Sequence, residues 1–108
     1  MGSGRQFVSA DEVEVSAPAS ETLLKTLRFS QSAVGSLISL IVVVVEVTAS
    51  SGGSLKLLVN GSLVAQAPAP AGETVLSGPL PLLVTSPYTV ELRGQNCTIG
   101  LTEVLVEA

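Results

Sequence analysis

Histidine and tryptophan are missing from this chain of 108 residues, which has one cysteine, one tyrosine and two phenylalanines. Without histidine there can be no Ser-His-Asp or Cys-His nucleophile system, no histidine general base and almost no form of catalytic zinc site. The lone Cys97 cannot form an intrachain disulfide or a multi-cysteine zinc site. It fits best as a small buried apolar side chain, with an intermolecular disulfide as the alternative.

Other catalytic and ligand-binding signatures are also lacking. A glycosidase needs two facing carboxylates, but the acidic residues occupy outward strand positions or flank turns, where we expect solvated side chains. Asp11 is the only aspartate and there are two asparagines, whereas calcium sites favour clusters of both. No phosphate-binding glycine loop or dinucleotide motif is present. The sequence therefore predicts a protein that is not an enzyme and that holds no metal or cofactor.

Charge is scarce as well, at 13% of residues with a net charge of −4, against a typical share of about 25%. The basic residues are scattered, while nucleic-acid-binding proteins usually cluster theirs, so no direct contact with nucleic acid is expected. Low charge indicates either an exterior that is partly covered in the working state or one coated with Ser, Thr and Gly. The five basic residues are Arg5, Lys25, Arg28, Lys56 and Arg93.

The length suits one domain, which we place at residues 11–108 after a flexible Gly- and Ser-containing arm at residues 1–10. The amino-terminal residues lack the apolar stretch of a secretory signal. Residues 33–47 are the most apolar region, but they are too short and too interrupted for a membrane span, which takes about 20 residues as a helix. The sequence therefore predicts a soluble protein.

The most informative segment present is the run from Leu37 to Val45, which is apolar at both parities apart from Ser39. Side chains of a strand alternate between two faces, so this strand needs apolar cover on both sides. A neighbouring copy of the chain is a good candidate for the second cover. The predicted core and interface residues are Ile41, Val43, Val45 and Val47 on one face and Ile38, Leu40, Val42 and Val44 on the other.

The rest of the chain shows further strand patterns and no convincing helix. Asn60-Gly61 between two apolar runs predicts a hairpin with a type I′ turn. A change of parity near the carboxyl end predicts a β-bulge near Thr102 or Glu103. Strands are predicted at residues 13–17, 22–29 (favoured over a helix), 37–49, 55–59, 62–67, 73–77 continuing at 80–85 after an interruption by Gly78, Pro79 and Pro81, 88–93 and 97–106. A turn is predicted at 50–53 and an exposed linker at 67–72.

Seven or eight short strands at this spacing are typical of an all-β, antiparallel β-sandwich. We prefer a jelly roll, with an immunoglobulin-like arrangement as the alternative.

Two functions are compatible with these features. The first is a structural subunit of a virion (capsid, decoration or tail protein), a filament or a surface assembly, which self-associates through its apolar strands and an exchanged arm. The second is a monomeric recognition module of a larger protein, adhesive or carbohydrate-binding, with its ligand on the loops at 30–36, 50–54 or 67–72. Sugar-binding sandwiches commonly stack sugar rings on exposed aromatic side chains, and this chain offers only Phe7, Phe29 and Tyr88. For the first function, the expected partners are further copies of the chain or other structural subunits.

Overall fold

The computed structural model describes residues 5–29, 39–79 and 88–107, with side chains from Val8 onward in the first range. These residues form seven strands that pair antiparallel in one sheet. The all-β sandwich class is therefore confirmed. The strands are β1 (Arg5–Asp11), β2 (Val15–Ala17), β3 (Thr22–Phe29), β4 (Leu40–Val59), β5 (Ser62–Pro68), β6 (Gly72–Pro79) and β7 (Tyr88–Glu107).

Two long strands, β4 and β7, form the centre of the sheet. They pair from Leu40 opposite Glu107 to Val59 opposite Val90. The first half of β4 is dense in β-branched residues, which favour a pleated strand. Strands β6 and β5 follow one another along the free side of β4, and β1, β2 and β3 follow one another along the free side of β7.

The long β4–β7 pair changes register in its middle, where Ser50 faces Cys97 and Ser54 faces Gln95. Gly52 and Asn96 have positive φ angles of 68° and 54°. A Cβ on Gly53 would lie 2.8 Å from the Asn96 carbonyl oxygen. Strand β4 runs without a break from Leu40 to Val59, so the prediction of a turn at 50–53 is wrong. The two glycines accommodate a bend within one continuous strand, because they tolerate a left-handed backbone and close strand contact.

The bend gives the sandwich its two layers. One layer contains β6, the first half of β4, the second half of β7 and β1, and the other contains β5, β3 and the remaining halves, while β2 pairs with β7 next to the bend. Gly78 of β6 and Val64 of β5 lie so close that a Cβ on Gly78 would be 2.7 Å from the Val64 carbonyl oxygen. A single core fills the space between the layers. Its β4 and β7 members are Ile41, Val43, Val45, Val47, Leu55, Leu57, Val59, Tyr88, Val90, Leu92, Cys97, Ile99, Val104 and Val106.

The parity change in β7 comes from a bulge between Ile99 and Thr102. These two residues face Val47 and Val45, so β7 has one residue more than β4 over this stretch. Ile99 and Thr102 are both buried, whereas Leu101 is 36% exposed. The bulge thus begins at Gly100, slightly before the predicted position, because a residue without a side chain adapts most readily to the kink.

The amino-terminal part differs from the prediction. Residues 5–10, expected in a flexible arm, lie in β1 and pair with β7. Only residues 15–17 of the predicted strand 13–17 are paired, and Val13 is 64% exposed. The segment 22–29 is a strand, as preferred over a helix. Residues 1–4 and the predicted strand 80–85 lie outside the described residues.

The hairpin around Asn60-Gly61 is confirmed. Both residues have positive φ, 50° and 82°, as a type I′ turn requires. The Asn60 side-chain oxygen also accepts a hydrogen bond of 2.9 Å from the Thr89 amide, which fastens the turn to β7. The connection after β5 is less exposed than predicted, because Ala69 is fully buried and its amide donates to the Gly53 carbonyl at 2.9 Å.

A buried lysine holds β1, β3 and β7 together. Lys25 is 5% exposed, and its Nζ donates to the carbonyl oxygens of Gly100 at 2.7 Å and Asp11 at 3.0 Å. The Asp11 carboxylate lies 3.7 Å from the same Nζ. Burial lowers the pKa of Lys25, while Asp11 raises it. A charged group is stable inside the protein only with such partners.

Candidate functional site at the bend

The predicted interface strand is largely covered by its own chain. Ile41, Val43, Val45 and Val47 point into the core, as predicted. On the opposite face Val42 is only 3% exposed, and Leu40 and Val44 are half-buried. Val42 is buried without a neighbouring copy. The expectation that a second subunit must cover the outer face of this strand is therefore wrong for Val42. Ile38 lies outside the described residues.

The remaining exposed apolar surface on this outer face is bordered by acid. Val44 faces Val75 on β6, and Val75 and Leu101 are 51% and 36% exposed. Glu46 pairs directly with Glu73, and Glu103 pairs with Val44. Like charges on paired residues repel each other. A second copy approaching by the same face would add three more carboxylates.

The bend brings together two of the three loops predicted to bind a ligand. Residues 50–54 and the connection after β5 meet through the Ala69–Gly53 hydrogen bond. They line two adjoining depressions of about 540 and 310 Å³, which share Gly52, Gly53 and Pro68. We call these two depressions the bend groove. The other residues lining it are Ser50, Ser54, Leu55, Lys56, Gln66, Ala67, Pro70 and Ala71. The third loop, 30–36, lies outside the described residues.

The local sequence explains why this groove is open and why polar groups occur along its largely apolar lining. Gly52 and Gly53 present backbone instead of side chains, and the alternation of β4 and β5 turns Lys56 and Gln66, which pair with each other, to the same outer face. Pro68 and Pro70 cannot donate ladder hydrogen bonds, so no further strand closes over the edge. The groove therefore offers hydroxyl, amide and ammonium groups beside exposed backbone.

Another depression, of about 350 Å³, is not part of the bend groove and lies on the β2 side of the bend. It is lined by Ala17, Ala49, Ser50, Ser51, Asn96, Cys97 and Thr98. Its hydroxyl groups are partly engaged, since the Ser16 and Thr98 side chains hydrogen-bond at 2.8 Å. Cys97 is 4% exposed, and burial raises the pKa of its thiol. These features match the prediction of a buried, apolar cysteine and give no sign of a reactive one.

Charged groups occur beside the groove as pairs. Lys56 Nζ contacts Glu21 Oε1 at 2.6 Å, and Arg93 Nε lies 3.6 Å from Glu91 Oε1. The hydrogen bond from Lys56 lowers the pKa of Glu21, and the charges of Lys56 and Arg93 act in the same direction. No local sequence pattern indicates this cluster, because its four members come from three separate segments.

Groups that could do chemistry are not assembled in the described part of the chain. No three His, Cys, Asp or Glu residues there are arranged to hold a metal ion. Of the aromatic residues named as sugar platforms, Phe29 and Tyr88 pack against each other with ring centroids 5.0 Å apart. Tyr88 is 1% exposed, and its hydroxyl has no hydrogen-bond partner among residues 5–29, 39–79 and 88–107. Nothing is described of the Phe7 side chain. Across the described ranges, no helix has the length and apolarity to cross a membrane.

The fold is similar to that of several solved structures at low sequence identity. The carboxyl-terminal domain of EclA, a sugar-binding protein, aligns with a TM-score of 0.62 and 12% identity over 90% of this chain and 79% of that one. A family 35 carbohydrate-binding module from an environmental isolate aligns with a TM-score of 0.51 and 15% identity over 94% and 90%.

The insecticidal delta-endotoxin Cry8Ea1 of Bacillus thuringiensis aligns with a TM-score of 0.62 and 10% identity, but 91% of this chain spans only 20% of that one. No protein-family model matches the sequence, and no curated protein matches it either. Identities at this level establish the β-sandwich fold alone. None of these three descriptions names a virion protein.

Proposed function

We propose that this domain is a non-catalytic recognition module that binds carbohydrate in the bend groove. The observation that carries the proposal is that two segments expected to bind a ligand, residues 50–54 and 67–72, meet beside an open depression of about 540 Å³. Ser54, Lys56 and Gln66 supply its hydrogen-bonding side chains. Binding sites usually combine a preformed concave surface with a few convergent polar groups. The similarity of the fold to two sugar-binding structures favours carbohydrate over other small ligands.

The chemistry of the groove suits sugar hydroxyls. Ser54 supplies a hydroxyl that can donate and accept, Gln66 supplies both halves of an amide, and Lys56 supplies an ammonium. Apolar cover comes from Pro68 and Pro70 instead of an aromatic ring. We therefore expect weak binding of a single sugar and tighter binding of a longer chain that extends along the open groove.

The groove residues also favour binding over catalysis. The residues that line it include no carboxylate and no cysteine, so neither a general acid and base pair nor a thiol nucleophile is present among them. We propose that the domain serves as the binding part of a larger protein, in which any reaction takes place elsewhere.

A glycan array tests this proposal. The wild-type domain should bind a restricted set of oligosaccharides, and Gln66→Ala should reduce the signal at least fivefold. Ser62→Ala is the matched control, since it trims an exposed polar side chain on the same strand, β5, at the end remote from the groove. A wild-type domain that binds no glycan, or equal losses in both variants, would contradict the proposal.

Self-association is the second candidate, favoured by the exposed Val75 and Leu101 on the outer face. The acidic residues around them, which would repel their counterparts on a second copy, make it the weaker one. An assembly role in a virion or at a cell surface stays a prediction from sequence.

A further inference from the structure

We infer that the preferred carbohydrate carries an anionic group, a carboxylate or a sulfate, bound between Lys56 and Arg93 at the rim of the bend groove. The inference rests on the proposed function and specifies its ligand.

The central observation is a pair of like charges on adjacent strands. Lys56 of β4 and Arg93 of β7 are directly opposite each other. Only five basic residues occur in a chain with a net charge of −4. Directly opposed like charges destabilise a sheet. In the free protein the carboxylates of Glu21 and Glu91 offset this repulsion, and a ligand anion would do the same.

Arg93 retains hydrogen-bonding capacity. Its Nε lies 3.6 Å from Glu91 Oε1, a distance too long for a hydrogen bond. Within the described residues its terminal nitrogens have no recorded acceptor, and its side chain is 34% exposed. The planar fork of a guanidinium suits two oxygens of a carboxylate or sulfate. The terminal nitrogens of Arg93 are therefore available to a ligand, on the residue directly opposite Lys56.

Glu21 occupies the place that a ligand anion would take. Its Oε1 lies 2.6 Å from Lys56 Nζ, and Arg93 also acts on its charge. Glu21 lies immediately before β3, and its side chain is 37% exposed, so the carboxylate can change position without disturbing the core. We propose that the Glu21 carboxylate moves aside when an acidic sugar binds.

Neighbouring groups determine where the rest of the sugar lies. Gln66 faces Lys56 from β5, on the side opposite Arg93, and Ser54 lies two residues before Lys56 on the same face. An anion at the Lys56–Arg93 pair thus places the sugar ring towards Gln66 and the bend groove. The site then has charge at one end and neutral hydrogen-bonding groups at the other.

The test is a titration followed by NMR, which detects millimolar binding, with three matched sugars: galactose, galacturonate and galactose 6-sulfate. We expect at least one acidic sugar to bind tenfold more tightly than galactose. Glu21→Gln should tighten that binding several-fold, because it removes the internal competitor. Lys56→Gln and Arg93→Gln should each weaken it tenfold or more.

Arg28→Gln is the matched control. Arg28 is exposed and lies opposite Thr89, on the face of the sheet that carries Arg93. Arg28→Gln changes the net charge by the same amount as Lys56→Gln and Arg93→Gln. Equal weakening by Arg28→Gln would show a general charge effect and overturn the inference. Equal affinity for all three sugars would overturn the inference and leave the proposed function intact, whereas no glycan bound here or on the array would overturn both. Inorganic sulfate binding as tightly as the sulfated sugar would show a simple anion site and contradict a carbohydrate ligand.

Discussion

Lys25 gives the sharpest prediction about stability. Its ammonium contacts two carbonyl oxygens at 2.7 and 3.0 Å and a carboxylate at 3.7 Å. Lys25→Met keeps most of the side-chain volume but leaves the Asp11 carbonyl without this donor. The Gly100 carbonyl still accepts from the Thr102 hydroxyl at 3.1 Å. Hydrogen bonds to charged groups contribute about 1.5–3 kcal/mol each, and the burial of the charge offsets part of that, so we expect a net loss of about 2 kcal/mol.

Urea denaturation followed by circular dichroism measures this loss. Lys56→Met is the matched control, because the Lys56 side chain is 40% exposed and an exposed ion pair contributes only about 0–1 kcal/mol. A loss below 0.5 kcal/mol for Lys25→Met, or an equal loss in both variants, would refute the view that Lys25 joins β1 and β3 to β7.

The lowered pKa of Lys25 predicts that the stability lost in Lys25→Met depends on pH. Burial lowers the pKa of Lys25 below its ordinary value of 10.5. Between the lowered pKa and 10.5 the unfolded chain binds more protons at Lys25 than the folded one, so stability rises with pH in that window. Tyr88 and Cys97, whose raised pKa values act in the opposite direction, are common to both proteins. The free energy of unfolding of the wild type relative to Lys25→Met should therefore increase as the pH rises towards 10.5. A decrease would contradict the view that burial lowers the pKa of Lys25.

Three further predictions concern the bend, the core strand and the cysteine. Gly53→Ala should destabilise the fold by more than about 2 kcal/mol, since its Cβ would lie 2.8 Å from Cys97 Cβ; a melting temperature equal to wild type would contradict the close strand contact. Val43→Lys should prevent folding because Val43 is 1% exposed, whereas Val44→Lys should fold as an 11.0 kDa monomer by light scattering. A wild-type oligomer that Val44→Lys dissociates would instead support self-association. Cys97 should react slowly with Ellman's reagent at pH 8 and quickly in urea, and rapid reaction of the native protein would show that the thiol is not buried.

The strands were predictable because their signals are local. Alternation predicts β3 and, as two separate strands at 88–93 and 97–106, the two halves of β7. β-Branched density predicts the first half of β4, and Asn60-Gly61 predicts the hairpin turn. The bend was not predictable, because Ser50-Ser51-Gly52-Gly53 has the composition of a turn. Only the partner strand, through Asn96 and Cys97, shows that β4 continues. The strand pairing of residues 5–10 depends in the same way on a distant partner.

The site was predictable in part. Residues 50–54 and 67–72 could be named as ligand-binding segments from their glycine and proline content, although residues 50–54 lie within β4 instead of a loop. Their meeting follows from the bend. The cluster of Lys56, Arg93 and Glu21 depends on register between β4 and β7, which no local pattern specifies. The two-faced apolarity of β4 correctly indicated a strand that needs cover on both sides. It did not show that one chain can bury Val42 without a second copy.

The most direct test of the central claim is to map the amide shifts of the labelled domain with the oligosaccharide that gives the strongest signal on the array. The account predicts that the perturbed amides lie in residues 50–56 and 66–71 and next to Arg93. Perturbations confined to the outer face around Val75 and Leu101, or no perturbation at saturating sugar, would contradict it.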